Sequence, residues 1–198
     1  VKWAGIYTQG YIKNNNATSV SNIVQEAVYV TVPSLGTLAI TPQIIDLHAN
    51  DTYGYTYDTY APITNLIGKK GSEVNGWITG ANIKAHEGDD DNSYWWQNGS
   101  GLGNFGAWTL VVVYEDSSET LKNISVFDGY KKVANQTGFQ TVDITVSGFL
   151  TPTSGDVKST LSIFAGEGDK NIAGDKLYVD GIAINETNAF YSTISGFN

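Results

Sequence analysis

Alternation between bulky apolar residues and small or polar ones runs through most of the chain. It is clearest at 2–12 and 139–146, with shorter runs at 26–32, 37–41, 43–47, 76–85, 121–127, 157–165, 176–179 and 182–184. Successive side chains of a strand point to opposite faces, so a period of two predicts half-buried β-strands. Glycine, proline and asparagine separate these runs, as is typical of turns.

The most apolar run lies at 107–116 and ends in the adjacent carboxylates Glu115 and Asp116. Its three consecutive valines favour an extended backbone, because β-branched side chains pack well on a pleated surface. A short run without alternation is typical of a strand buried on both faces. We therefore expect it to be the central strand of the fold, with the two acids at one rim.

About nine or ten short strands at this spacing predict an all-β protein, an antiparallel β-sandwich or jelly roll. Asp180-Gly181 between two short apolar runs predicts a tight hairpin. Residues 62–67 are the only segment that we expect to form a helical turn. The length of 198 residues fits one domain spanning 1–198.

Composition limits the classes of partner. Acidic residues outnumber basic ones 20 to 11, which gives a net charge of −9 and argues against nucleic acid and anionic membranes. Cysteine is absent, so disulfides and thiolate metal sites are excluded. No apolar run approaches the roughly 18 residues that cross a bilayer. The chain begins at Val1 and has no methionine, so we expect it to be processed or excised from a longer protein.

Two stretches carry candidate ligand-binding residues. The irregular stretch 86–104 combines carboxylates, aromatic residues and glycines, and long loops of this kind are often functional. Three tyrosines farther upstream, between residues 50 and 60, would share one face of any strand there and would form either a stacking platform or ordinary cross-strand packing. The candidates are Asp89, Asp90, Asp91, Tyr94, Trp95, Trp96, Tyr53, Tyr55 and Tyr57.

Carboxylates also cluster at the ends of predicted strands. Calcium is bound by six to eight oxygen ligands, which carboxylates and backbone carbonyls supply. Gly166 and Gly168 would let the backbone around the acids fold tightly. The candidate Ca²⁺ ligands are Glu115, Asp116, Glu167, Asp169 and Asp175, and the alternative is an ordinary solvated acidic rim.

Catalytic motifs are absent from the sequence. His48 and His86 have no metal-binding spacing, and neither a nucleophile elbow nor a phosphate loop is present. Glu115 and Glu167 would satisfy a glycosidase's need for two carboxylates, but any acidic β-protein offers such pairs. We therefore expect a protein that is not an enzyme.

Several short motifs together resemble an extracellular domain of large secreted surface proteins of bacteria and archaea. They are Trp3-Ala-Gly, Trp108-Thr-Leu-Val-Val-Val-Tyr-Glu-Asp116, Asn123-Ile-Ser-Val-Phe-Asp-Gly129, Ser147-Gly-Phe-Leu-Thr-Pro152, Glu167-Gly-Asp169 with Gly174-Asp175, and Asn188-Ala-Phe-Tyr-Ser-Thr-Ile194. The resemblance implies a secreted β-sandwich that serves as one module of an adhesin or cell-surface assembly.

Residue chemistry and resemblance together lead to one functional expectation and one alternative. We expect an extracellular, calcium-supported adhesin module at the cell surface that binds a glycan or a peptide. The alternative is a structural spacer, or a self-assembling surface-layer or filament subunit whose partners are copies of itself. Neither hypothesis involves nucleic acid or membrane insertion of this segment.

Overall fold

The structure, a computed structural model, describes residues 1–49, 54–68, 71–87, 104–134, 137–168, 170, 172–185 and 187–191. The chain divides into two compact units, Val1–Thr160 and Leu161–Asn198, and each is described by itself. The expectation of one domain over 1–198 stays a prediction.

Antiparallel strands make up most of the regular structure. In the described residues they are β1 (Trp3–Ile12), β2 (Val28–Val32), β3 (Gly36–Ile40), β4 (Gln43–Ala49), β5 (Tyr55–Pro62), β6 (Thr79–Ala81), β7 (Gly106–Val113), β8 (Leu177–Val179) and β9 (Ile182–Asn185). They form one sheet in the order β4-β5-β1-β7, a second in the order β3-β2-β6, and the two-stranded β8-β9. The predicted all-β class is therefore confirmed.

Strand β1 lies inside the first sheet, between β5 and β7. On one of its faces Ala4 and Ile6 are buried in the same core cluster as Val28, Val30 and Val32 of β2. The first two sheets thus share one hydrophobic core. The side chains on the opposite face of β1 point away from this core, because alternate residues of a strand point in opposite directions. They are therefore available for other contacts.

Two short α-helices, α1 (Ala17–Val24) and α2 (Thr64–Ile67), and a 3₁₀ helix (Gly71–Val74) accompany the strands. The helical turn expected at 62–67 is confirmed by α2, but the expectation that it is the only one is wrong. Helix α1 begins where the Asn16 side chain accepts a hydrogen bond from the Ser19 amide, an N-cap. It buries Val20 and Val24. None of the described helices has the length and apolar character required to cross a membrane.

The expectation of a central strand at 107–116 is wrong in two respects. Strand β7 ends at Val113, and it is the last strand of its sheet in the described residues, paired with β1. Its side chains are half-buried rather than buried on both faces. Leu110 and Val112 pack against the core, while Val111 between them faces the other way. The apolar run thus forms a strand with one face on the core and the other turned away from it. Its neighbour β1 lies inside the sheet.

The runs at 121–127, 139–146 and 157–165 were expected to be strands, and the structure contains no strand there. Their alternation is present in the sequence, but a strand also requires a neighbouring backbone that accepts and donates its hydrogen bonds. Many of their large apolar side chains are exposed, including Leu121, Ile144, Val157 and Leu161.

The second unit contains the predicted hairpin. Strands β8 and β9 pair in antiparallel fashion across Asp180-Gly181. Asp180 has a φ of 49° and Gly181 a φ of 77°. Positive φ at both central residues is the requirement of a type I′ turn, which explains why this dipeptide was a reliable signal.

Replacing Ile6 with alanine is expected to lower the free energy of unfolding by about 2–5 kcal/mol, because it leaves a cavity in the shared core. Leu121→Ala is the matched control, since Leu121 is fully exposed and the change is expected to stay within about 0.5 kcal/mol. Urea denaturation measures both. Equal losses for the two variants would contradict the described core.

Candidate functional site

The face of the first sheet that points away from the core is aromatic and polar. The strand registers place Tyr7 opposite Tyr60, and Gln9 opposite Asp58. On the other side of β5, Asp58 lies opposite Asp46. Residues directly opposite in an antiparallel pair point to the same side, so these groups lie next to one another.

Aromatic rings cover one end of this face. The rings of Trp3 and Tyr60 are stacked, with centroids 6.1 Å apart and planes 3° from parallel. The Tyr7 ring lies 5.1 Å from that of Tyr60. Gly5 makes the arrangement possible, because a Cβ there would lie 2.5 Å from Tyr60 Cε2 and 2.9 Å from Trp3 Cη2. The missing side chain leaves room for two rings to lie over the strand.

The segment 124–130 crosses the same face, although no strand pairs with it. The Tyr7 hydroxyl donates a hydrogen bond to Asp128 Oδ1. Two residues on, the Tyr130 hydroxyl is hydrogen-bonded to that of Thr56, and its ring is stacked with His48 at 5.7 Å. Contacts by alternate side chains thus hold the segment to the sheet, and this is how it differs from the hairpin strand expected at 121–127.

The sheet and this segment border an open groove with a volume of about 340 Å³. We call it the aromatic groove, and it is lined by Trp3, Tyr60, Val113, Ile124, Val126 and Asp128. Two rings, three aliphatic side chains and one carboxylate give a mostly apolar wall with a single strong polar anchor. This composition is typical of ligand sites, in which few polar groups fix the orientation of a ligand.

Asp58 lies on the same face and is only 3% exposed. Burial raises the pKa of its carboxyl to about 7; a hydrogen bond with Gln9 opposes this rise, and the carboxylates of Asp128 and Asp46 add to it. Its Oδ1 atom has no hydrogen-bond partner among the described residues. A buried carboxylate with an unsatisfied oxygen is unfavourable for folding and therefore calls for a functional explanation.

The two phenols that hold the segment stay protonated at neutral pH. Burial is the main cause that raises the pKa of Tyr7, and its hydrogen bond to Asp128 raises that pKa further. Burial also raises the pKa of the Tyr130 hydroxyl. Tyr7 therefore remains a donor to Asp128, which fixes that carboxylate at the groove.

Two of the three tyrosines predicted to form a stacking platform, Tyr55 and Tyr57, pack in the core instead. Tyr57 is 1% exposed, belongs to a core cluster with Val20 and Val24, and donates a hydrogen bond of 2.6 Å to the Lys84 carbonyl. Burial raises its pKa to about 12. Tyr55 is half-buried and packs against the same cluster. The packing alternative therefore describes both residues, and Tyr57 is not available to a ligand.

The other ligand-binding candidates lie outside the described residues. They are Tyr53, Asp89, Asp90, Asp91, Tyr94, Trp95 and Trp96. Their role in binding stays a prediction from sequence.

The candidate calcium ligands do not form a described metal centre. Glu115 makes a 2.7 Å ion pair with Lys2. Asp116 accepts hydrogen bonds from the Ser118 amide and hydroxyl at 2.9 and 2.7 Å. Both interactions lower the pKa of the carboxyl concerned. Asp169 is not among the described residues.

Glu167 and Asp175 belong to the second unit. The described part of the chain contains no group of three or more His, Asp or Glu side chains that could hold a metal ion. Calcium binding therefore stays a prediction.

Sequence reasoning missed the residues that build the groove. Trp3 and Asp128 each lie in a motif quoted for the resemblance, but no contact was inferred for them. Tyr60 carried a usable signal, because it lies three residues after Tyr57 and so faces the opposite side of the strand. Asp58 carried another, as a carboxylate between Tyr57 and Thr59 in mid-strand. The segment 124–130 gave no sequence signal that it would cross a sheet face.

Comparison of the chain with protein-family models, curated proteins and solved structures finds no match. The resemblance to surface-protein domains therefore stays a prediction.

Asp58→Asn is expected to flatten the pH dependence of stability between about pH 4 and 7. The folded-state pKa of about 7 exceeds the ordinary value of 3.8, so the folded protein binds this proton more tightly and loses stability as the pH rises through that window. At about 1.4 kcal/mol per pKa unit, the loss at pH 8 is up to about 4 kcal/mol.

Urea denaturation at pH 5 and pH 8 measures this effect. Asp143→Asn is the control, because it removes an exposed carboxyl and should leave the difference between the two pH values as in the original protein. A pH dependence that survives in Asp58→Asn would contradict the assignment.

Proposed function

We propose that the protein is an extracellular adhesin-type module, built as a β-sandwich or jelly roll, that binds a glycan or peptide ligand in the aromatic groove. The observation that carries the proposal is the groove itself. The stacked rings of Trp3 and Tyr60 line it, and Asp128 supplies a charged anchor. No catalytic step is part of the proposal.

The chemistry of the groove suits a ligand with both an apolar face and polar groups. Aromatic rings bury a large area and accept flat or aliphatic partners with little loss of side-chain entropy. Asp128 is held in place by Tyr7, so binding does not need to order it. The stretch 86–104, with Trp95 and Trp96, stays a separate candidate for ligand binding that rests on the sequence.

A structural role is the alternative, and one observation favours it. Large apolar side chains between residues 121 and 163 are strongly exposed, among them Leu121, Leu150 and Ile144. Exposed apolar surface of this extent often marks contacts with other protein chains. Size-exclusion chromatography and electron microscopy separate the hypotheses, since polymers of the pure protein would favour assembly and a monomer favours ligand binding.

Two groove variants test the proposed function on arrays of glycans and peptides. Trp3→Ala removes half of the ring stack, and Gly5→Ala forces a methyl group against both rings. We expect each to weaken binding of any array ligand about tenfold or more, because ring stacking contributes on the order of 1–2 kcal/mol.

The chain offers a matched control for Trp3→Ala. Trp77→Ala removes a tryptophan that is 93% exposed and should bind as the original protein does. A ligand whose affinity is unchanged by Trp3→Ala and Gly5→Ala would place binding outside the groove.

Calcium support rests on the sequence, and a melting experiment tests it. A bound ion stabilises the folded state by mass action, so the melting temperature is expected to fall in excess chelator and to recover when calcium is restored. Glu167→Gln combined with Asp175→Asn should reduce that difference. An unchanged melting temperature in chelator would contradict calcium binding.

A further inference from the structure

Negative charge accumulates behind the aromatic groove. Asp128 lines the groove, and the carboxylates of Asp128 and Asp46 both act on Asp58. The ion pairs between described residues engage other acids, since Lys2 pairs with Glu115, Lys84 with Glu26 and Lys122 with Glu119.

Asp58 is the buried member of this group, whereas Asp128 and Asp46 are exposed. It is 3% exposed, and its Oδ1 has no hydrogen-bond partner among the described residues. Burial and the negative charges of Asp128 and Asp46 all disfavour the charged form of Asp58. A positive charge brought to the groove would relieve this repulsion, and a neutral ligand would not.

The walls of the groove add a second requirement for the ligand, which is an apolar part beside its positive charge. Trp3 and Tyr60 line the groove; aromatic rings attract cations, and Trp is the strongest such partner among side chains. Val113, Ile124 and Val126 offer aliphatic surface. Sugar hydroxyls placed against these three side chains would lose hydrogen bonds to water without replacing them. A long aliphatic stem with a charged end loses nothing there.

We propose that the groove binds the side chain of a lysine or arginine presented by a partner peptide, with the cation against the Trp3 and Tyr60 rings and paired with Asp128. This inference rests on the proposed function and narrows its ligand to a basic peptide. The stem of the side chain packs on Val113, Ile124 and Val126. Tyr7 holds Asp128 through its hydroxyl, so the anion is positioned before the ligand arrives.

Capped pentapeptides of the form Gly-Gly-X-Gly-Gly, with X as lysine, arginine, norleucine or glutamate, provide the test. Titration followed by tryptophan fluorescence gives a Kd for each. We expect lysine and arginine to bind about tenfold or more tighter than norleucine, with glutamate weakest, because the cation adds both ring attraction and an ion pair. Raising the salt concentration should weaken the basic peptides alone.

Asp128→Asn isolates the charge, since the amide oxygen still accepts from Tyr7. It should weaken the lysine peptide about tenfold and leave norleucine unchanged, whereas Trp3→Ala should weaken both. Trp77→Ala is the control, and the melting temperature of each variant reports folding.

Equal affinity for lysine and norleucine would overturn the inference. So would an affinity for lysine that survives Asp128→Asn. A neutral glycan that binds the arrays in a Trp3-dependent way, without binding of basic peptides, would overturn the inference and leave the proposed function standing. Failure of every glycan and peptide would overturn both.

Discussion

The position of β1 between β5 and β7 is the constraint on which the rest of the first unit depends. Both edges of this strand are hydrogen-bonded, so its two faces are all that remains for tertiary contacts. One face, with Ala4 and Ile6, joins the core shared with β2. The other carries Trp3, which lines the groove, Gly5, which leaves room for the rings, and Tyr7, which holds Asp128. Core and site are thus two sides of a single strand.

Separation by strand faces explains how polar groups are tolerated near the core. Tyr7 donates to Asp128, and Thr8 and Thr59 exchange a 2.6 Å hydrogen bond on the core side. Buried hydroxyl groups remain satisfied on both sides of the sheet. Asp58 departs from this pattern, because one of its oxygens lacks a described partner. Such local departures tend to occur where a protein meets its ligand.

The sequence predicted local features well and pairings poorly. The positions of β1 to β4 and the hairpin at Asp180-Gly181 follow from period-two patterns and turn chemistry. The prediction that 107–116 is the central strand was wrong, because the hydrophobicity of a strand does not say with how many other strands it pairs. Helix α1 was not predicted, although Asn16 is a favourable N-cap, because this part of the sequence was interpreted together with the strand pattern that follows it.

The groove was not predictable for a related reason. Its residues come from positions as distant as Trp3, Tyr60 and Asp128, and no local pattern reports that a segment without strand pairing crosses a sheet. The tyrosine pattern pointed to Tyr55 and Tyr57, which face the core cluster. A period of two says which residues share a face, but not which face meets solvent.

Segment 124–130 supplies one wall of the groove, yet it contributes no hydrogen-bonded ladder to the sheet. Tyr7 and Tyr130 hold it by their hydroxyls, while Ile124 and Val126 face the cavity. Substitutions or insertions before these anchors change the width and lining of the groove without disturbing a strand pair. Evolution, or a protein engineer, therefore has access to new ligand specificities on a constant scaffold, in the way that antibody loops vary on a fixed framework.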